Sequence, residues 1–176
     1  MSAPVRRRLV IDADVLHGAG DPGTPSASGA RRVAFLKAVF AICHRVAVPA
    51  ELQDEWRRHS SAEAREWYVY MWSMGKVEPV VLRHDAALRE RVLATAPTRN
   101  ERAIMAKDWH LILAALQSDG LIVSCDGHAR RHFHRAATDV PELSRLVWAD
   151  PHEDGILEWL REGAPTVPER CLGYQR

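Results

Sequence analysis

Apolar residues along this chain follow two alternating rhythms. Short unbroken runs read as strands with both faces buried: Leu9-Val10-Ile11, Val46-Ala47-Val48, Leu121-Ile122-Val123 and Leu146-Val147-Trp148. Val77 to Leu82 is a further extended segment, and Pro79 within it predicts an edge strand, because proline cannot donate to a ladder. Leu9-Val10-Ile11 reads as the first and central strand. Helical spacing fills the intervals. Ala30 to His44 carries Val33, Leu36, Val39 and Phe40 on one face. Pro49 suits the first turn of a helix with Leu52, Glu55, Trp56 and His59. Ser60, three residues before Glu63, predicts a cap for a helix with Trp67, Tyr68, Met71 and Trp72. Further helices are predicted over Asp85 to Ala94, Glu101 to Gln117, Gly127 to Arg135 and Ile156 to Leu160, with a linker at Pro97 to Asn100. His17 to Gly29, rich in Gly, Pro and Ser, predicts a loop, and the segment from Gly163 a loosely held tail. Strands alternating with helices predict an α/β fold of three layers, a mostly parallel central sheet flanked by helices, with right-handed crossovers.

Composition narrows the picture. A chain of 176 residues is long enough for one well-buried core. We expect a single unit, the main domain over 1–150 with 151–176 as an extension of it. Balanced charge, 24 Lys and Arg against 23 Asp and Glu, argues against a global basic footprint but leaves room for a local one. Three cysteines, Cys43, Cys125 and Cys171, are odd in number and lack CxxC spacing, which predicts reduced thiols and a cytoplasmic protein. No apolar run is long enough to span a bilayer, and the MSAPVRRRLV start does not read as a secretory signal.

The chemistry lies in four acids at element ends. Asp12 follows the first strand, Glu55 sits in the helix after the second, Asp108 in the Glu101–Gln117 helix, and Asp126 follows the fourth strand. Strand C-termini collect ligand sites in open α/β sheets. If these acids converge, two carboxylates about 4 Å apart repel by roughly 4 kcal/mol at an effective dielectric near 20, so the cluster protonates or takes a cation. Oxygen-only donors favour Mg²⁺ or Mn²⁺ over Zn²⁺. Such a site suits phosphodiester hydrolysis, since a bound ion lowers the pKa of water and stabilises charge on phosphate.

Four segments in order carry a resemblance. LVIDADVL resembles the opening strand motif of PIN-domain nucleases; VPAELQDEWRRH is similar to their second motif, a helix with Glu before an aromatic. KDWHLILAAL looks like the third, an Asp opening an Ala-rich helix, and LIVSCDGH the fourth, a strand ending in Ser or Thr, one residue, then Asp. Together they run from Leu9 to about Phe133. The resemblance implies a three-layer PIN-like fold and a metal-dependent ribonuclease. Asp12, Glu55, Asp108 and Asp126 would be its catalytic acids, with Mg²⁺ or Mn²⁺ on Asp12, Asp108 and Asp126. It also implies RNA as partner. Many members are toxins of toxin–antitoxin pairs, the VapC-like ribonucleases, so an antitoxin protein and a second copy of the chain are further partners in view. Residues 60 to 100 and the tail beyond Phe133 are longer than in a minimal toxin.

Other residues have two readings. Asp14 either bonds loop backbone or joins the site; Glu51 and Asp54 compete with Glu55; Glu101 reads as surface; Asp119 and Asp150 read as turn residues. Ser124 either bonds a metal-bound water or satisfies backbone. His128 and His132 have a spacing that can hold Zn²⁺, but their helix, with Arg130, Arg131 and Arg135, reads more readily as a basic RNA-facing surface. Arg31, Arg32, Arg130 and Arg131 are the expected phosphate-binding cations. Most of the six tryptophans read as core, and the stripe from Trp67 to Met74 as core or interface. Two alternatives stand beside the nuclease. The Asp12-x-Asp14 pair also opens the haloacid-dehalogenase phosphatase signature, though Leu16 stands where that signature has Thr or Val. A non-catalytic PIN-like binding module is the other.

Overall fold

The computed structural model describes residues 5–20 and 26–175. Its centre is a parallel sheet of β1 (Arg8–Ile11), β2 (Arg45–Pro49), β3 (Val77–Val80), β4 (Leu121–Val123) and β5 (Val147–Ala149), in the order β3-β2-β1-β4-β5. Each apolar run seen in the sequence is a strand. β1 is central, with Leu9, Val10 and Ile11 fully buried, and Pro79 lies on an edge strand as expected. The chain builds β1, β2 and β3 outward to one side, then returns to place β4 and β5 on the other. Strand order therefore reverses between β1 and β4, and that reversal opens a crevice at their C-terminal ends.

Helices α1 (Ala13–His17), α2 (Ala27–Ala41), α3 (Ala50–His59), α4 (Ala62–Ser73), α5 (Ala86–Ala94), α6 (Arg99–Lys107), α7 (Trp109–Leu116), α8 (Gly127–Asp139) and α9 (Ile156–Arg161) flank the sheet. The expected three-layer α/β architecture is present. No helix of the described residues is long and apolar enough to cross a membrane. Tryptophan pins two helices to their neighbours: Trp56 Nε1 donates to Ile11 O at 3.0 Å and Trp67 Nε1 to Leu36 O at 2.7 Å. A buried indole N–H needs such a partner, and the first contact ties α3 to the end of β1.

Several expectations need correction. The helix predicted over Glu101–Gln117 is two helices broken at Asp108, which ends α6 and caps α7. No Gly or Pro marks the break. Burial explains it: α6 buries Met105 alone, whereas α7 buries Trp109, Leu111, Ile112, Leu113, Ala114 and Ala115 and packs on β1, β2 and β4. A turn at Asp108 lets one helix enter the core while the other stays at the surface. Thr98, assigned to a linker, caps α6 by accepting from Glu101 N at 3.2 Å. The cap of α4 is Ser61, one residue after the predicted Ser60. Part of the predicted His17–Gly29 loop is helix, since α2 starts at Ala27; 21–25 lie outside the described residues. The tail is not loosely held. Leu172 N donates to Leu146 O at 2.8 Å, Cys171 bridges to Val147, and Leu172 is buried. Along the stripe on α4, Trp67 and Met71 face the core, while Val69, Tyr70, Trp72 and Met74 are exposed.

Candidate metal centre

Asp12, Asp14, Glu55, Asp108 and Asp126 line one open pocket of about 360 Å³, with Ala13, His17, Arg58, His59 and Lys107 completing it. The four acids singled out in the sequence come from four places: the end of β1, the middle of α3, the α6–α7 break and the cap of α8. They meet in the crevice at the β1–β4 reversal.

Each is held by local structure. Asp12 leaves β1 with its N–H donating to Val123 O at 2.8 Å, so the ends of β1 and β4 stay in register. Ser124, directly after β4, donates from Oγ to Asp12 Oδ2 at 2.8 Å and accepts from Asp126 N at 3.0 Å. Its hydroxyl therefore joins two of the acids, which is more than satisfying backbone. Asp126 caps α8, Oδ1 accepting from His128 N at 2.8 Å and Ala129 N at 2.9 Å. That leaves Oδ2 for a ligand. Glu55 lies 3.4 Å from His110 Nε2, an ion-pair contact without hydrogen-bond geometry, and His110 Nδ1 meets Lys107 O at 3.0 Å.

Asp14 belongs to the cluster as well. Its Oδ2 accepts from Cys125 N at 3.0 Å and lies 3.2 Å from Ser124 Oγ, while its buried Oδ1 has no hydrogen-bond partner among the described residues. The Ser124 hydroxyl has one proton to give, and Asp12 is nearer; a proton on Asp14 would make the second contact favourable. Burial, then the charge of Asp12, push the Asp14 carboxyl up to about 7.

The electrostatics are those of a cluster short of positive charge. Burial raises the Asp12 pKa against the bond from Ser124, and Glu55 raises it further. Asp108, 9 % exposed, is pushed up to about 6 by burial and then by Asp12, with Asp126 adding to it. Glu55 goes the other way, held below its ordinary range chiefly by His110. For His110, burial opposes the charged form, but Glu55 more than offsets it and the net shift is upward. Desolvation and like charges disfavour carboxylates, and a cation reverses both effects.

The expected phosphate-binding arginines are elsewhere. Among the residues lining the pocket, Arg31, Arg32, Arg130 and Arg131 are absent. Arg31 bonds His152 O and lies 3.6 Å from Asp154; Arg32 donates to Asp14 O at 3.2 Å; Arg130 pairs with Glu153 at 2.8 Å; Arg131 meets His128 Nδ1 at 2.7 Å. The cations at the pocket are Arg58 and Lys107. Helical spacing was the missed signal: Arg58 and His59 stand three and four residues after Glu55 and share its face. His17 meets His59 O through Nδ1 at 2.9 Å, completing that rim. His128 and His132 do not converge on one point, since His132 turns to Glu101 at 3.6 Å.

Comparison with family models, curated proteins and solved structures finds no match for this chain. The functional reading therefore rests on the pocket and on the four motifs that line it.

Proposed function

We propose that this protein is a metal-dependent ribonuclease of the PIN-like type, hydrolysing RNA phosphodiesters in the pocket of Asp12, Glu55, Asp108 and Asp126. One observation carries the reading: acids from four separate elements converge in an open crevice at the strand-order reversal, with cations at its rim.

The donor set suits a hard divalent cation. All five carboxylates offer oxygen; Asp12 is raised by burial and by Glu55, Asp108 by burial and by Asp12, and Asp14 keeps a buried oxygen without a partner among the described residues. Asp12, Asp108 and Asp126 would hold Mg²⁺ or Mn²⁺, with Glu55 beside them. Such an ion supplies a water of lowered pKa and stabilises charge on the phosphate. The chain's own contribution is positioning. Ser124 fixes Asp12 and the backbone of Asp126; His110 fixes Glu55; Arg58 and Lys107 attract the phosphates on either side of the scissile bond. RNA, rather than DNA, follows from the resemblance of the four motifs.

The test is cleavage of RNA by purified protein with Mg²⁺, with Mn²⁺ or with excess EDTA, beside an Asp126→Asn variant whose fold is checked by circular dichroism. Cleavage by the wild type in either metal, absent in EDTA and in the variant, is the expected result. Cleavage that persists equally in EDTA or in Asp126→Asn contradicts the reading.

A further inference from the structure

A second group of metal-ligating side chains stands at the same end of the sheet, one strand further out. Cys125 lies two residues beyond β4, and Asp150 directly follows β5. β4 and β5 pair in parallel with Val123 opposite Ala149, and Ser124 N donates to Ala149 O at 3.0 Å. The two strand ends therefore place Cys125 and Asp150 side by side. His152 joins them by a tight local turn, its N–H donating to Asp150 Oδ1 at 2.9 Å and its ring Nδ1 meeting the same oxygen at 2.7 Å. The thiol, a carboxylate oxygen and an imidazole nitrogen all lie within 4.8 Å of one another. Cys125 is not among the residues lining the acidic pocket; its backbone N–H donates to Asp14 Oδ2 at 3.0 Å, so the two groups adjoin through the backbone without sharing a ligand side chain.

The geometry points to a second cation site at Cys125, Asp150 and His152, one that takes a thiophilic divalent ion of the zinc class. Three lines support it. The donor set is mixed S, N and O, which Zn²⁺ accepts and Mg²⁺ does not. The spacing is near what is needed: with Zn–S about 2.3 Å and Zn–N about 2.0–2.1 Å, tetrahedral ligands sit about 3.3–3.7 Å apart, so side-chain adjustments of about 1 Å close the site. Charge balances too. On binding, the Cys125 thiol releases its proton to solvent, and thiolate, carboxylate and neutral imidazole bring two negative charges to a divalent ion. A neutral complex suits side chains that are all only partly exposed.

The surroundings agree with three protein ligands and an open fourth position. Ser28, in the first turn of α2, places its hydroxyl 2.7 Å from His152 Nε2 and orients the ring. Arg31 bonds His152 O, holding the turn from outside. None of the three ligands is an acid of the proposed ribonuclease site, so this proposal stands or falls independently of the ribonuclease reading.

Cobalt is the probe, because a thiolate bound to Co²⁺ gives an intense charge-transfer absorption in the near ultraviolet that oxygen ligands do not. Metal-free protein titrated with Co²⁺ is expected to develop that band with one equivalent per chain, to lose it to added Zn²⁺, and to keep it in excess Mg²⁺. The band vanishes in Cys125→Ser. In His152→Ala, whose partly exposed side chain makes a folded variant the expectation, Co²⁺ affinity falls at least tenfold. A Cys43→Ser/Cys171→Ser double variant and Asp108→Asn both retain the band. No band in the wild type, a band that survives Cys125→Ser, or unchanged affinity in His152→Ala overturns the proposal.

Discussion

The two ends of the central sheet treat carboxylates in opposite ways. At the N-terminal end, Asp119 accepts from the backbone N–H of Arg8 at 2.7 Å and from its guanidinium at 2.9 and 3.2 Å, and the same arginine reaches Glu78 at 3.0 Å. Burial alone would raise the Asp119 pKa, but these contacts prevail and it sits below its ordinary value. At the C-terminal end, Asp12, Asp14 and Asp108 are raised, because they are buried beside other acids and, among the described residues, no arginine is bonded to their carboxylates. The same residue type in the same sheet is paired for stability at one end and only partly offset at the other, where Lys107 Nζ stands 4.0 Å from Asp108 and the carboxyls are still raised. Folded chains do not keep buried carboxylates together without cause, since each costs free energy until a cation or proton arrives. The contrast singles out the C-terminal crevice as the end built for a ligand.

The largest expected effect breaks the comparison by activity. Asp12→Asn removes a carboxylate that would hold the cation, and RNA cleavage should fall at least about 100-fold, given several kcal/mol of charge stabilisation from the ion and about 1.4 kcal/mol per tenfold. Asp119→Asn should leave the rate within about twofold. Equal losses in parallel assays of the two folded variants would mean that the ends are not different in kind.

Stability should move the opposite way. A carboxyl whose folded pKa is raised stabilises the fold below its unfolded pKa, and that contribution is lost as pH rises through the folded value. For Asp108, pushed from 3.8 to about 6, and Asp14, pushed to about 7, the metal-free protein loses stability from roughly pH 4 to 7. In EDTA at pH 8, Asp108→Asn should therefore unfold at higher denaturant, by roughly 1–3 kcal/mol at about 1.4 kcal/mol per pKa unit. Denaturant titrations at pH 5 and pH 8 check it; a destabilised variant at pH 8 would show the acids were compensated. Asp119 has the reverse sign, its contribution present above the unfolded pKa and lost as pH falls through the lowered one. Arg8→Met should cost about 1 kcal/mol at pH 7, a charged hydrogen-bond network discounted for partial exposure.

The smallest effect sharpens the functional side. Arg58→Ala and Lys107→Ala should each weaken RNA binding a few-fold and lower the salt dependence by about 0.7 in slope for single strands. Arg130→Ala, at a residue paired with Glu153 away from the pocket, should leave the slope unchanged. Binding measured at three salt concentrations decides between them.

What was legible in the sequence was whatever local pattern controls. Four apolar runs and one extended segment became five strands, and β1 read as central because three consecutive residues had both faces to bury. Asp12 and Asp126 were legible at strand ends, and Glu55 and Asp108 through the helix motifs that carry them. The break at Asp108 was not, because it answers to the different burial of α6 and α7 rather than to a Gly or Pro. Asp14 read as a loop residue because its partners, Ser124 and Cys125, lie 110 and 111 residues away along the chain. The basic residues misled for a related reason. Arg31 and Arg130 cluster in sequence yet are engaged by Asp154 and Glu153, whereas Arg58 and Lys107 lie beside acids that the fold brings together. Cys125, Asp150 and His152 have no sequence spacing to notice, and only the pairing of β4 with β5 joins them.

Cation binding tests the contrast between the two ends most directly. Mn²⁺ titrated into metal-free protein, with free ion followed by electron paramagnetic resonance, should bind the wild type and Asp119→Asn alike and be weakened at least tenfold in Asp12→Asn and Asp108→Asn. Affinity that is the same in all four proteins, or no binding to the wild type, would contradict the assignment of the C-terminal crevice as a metal centre.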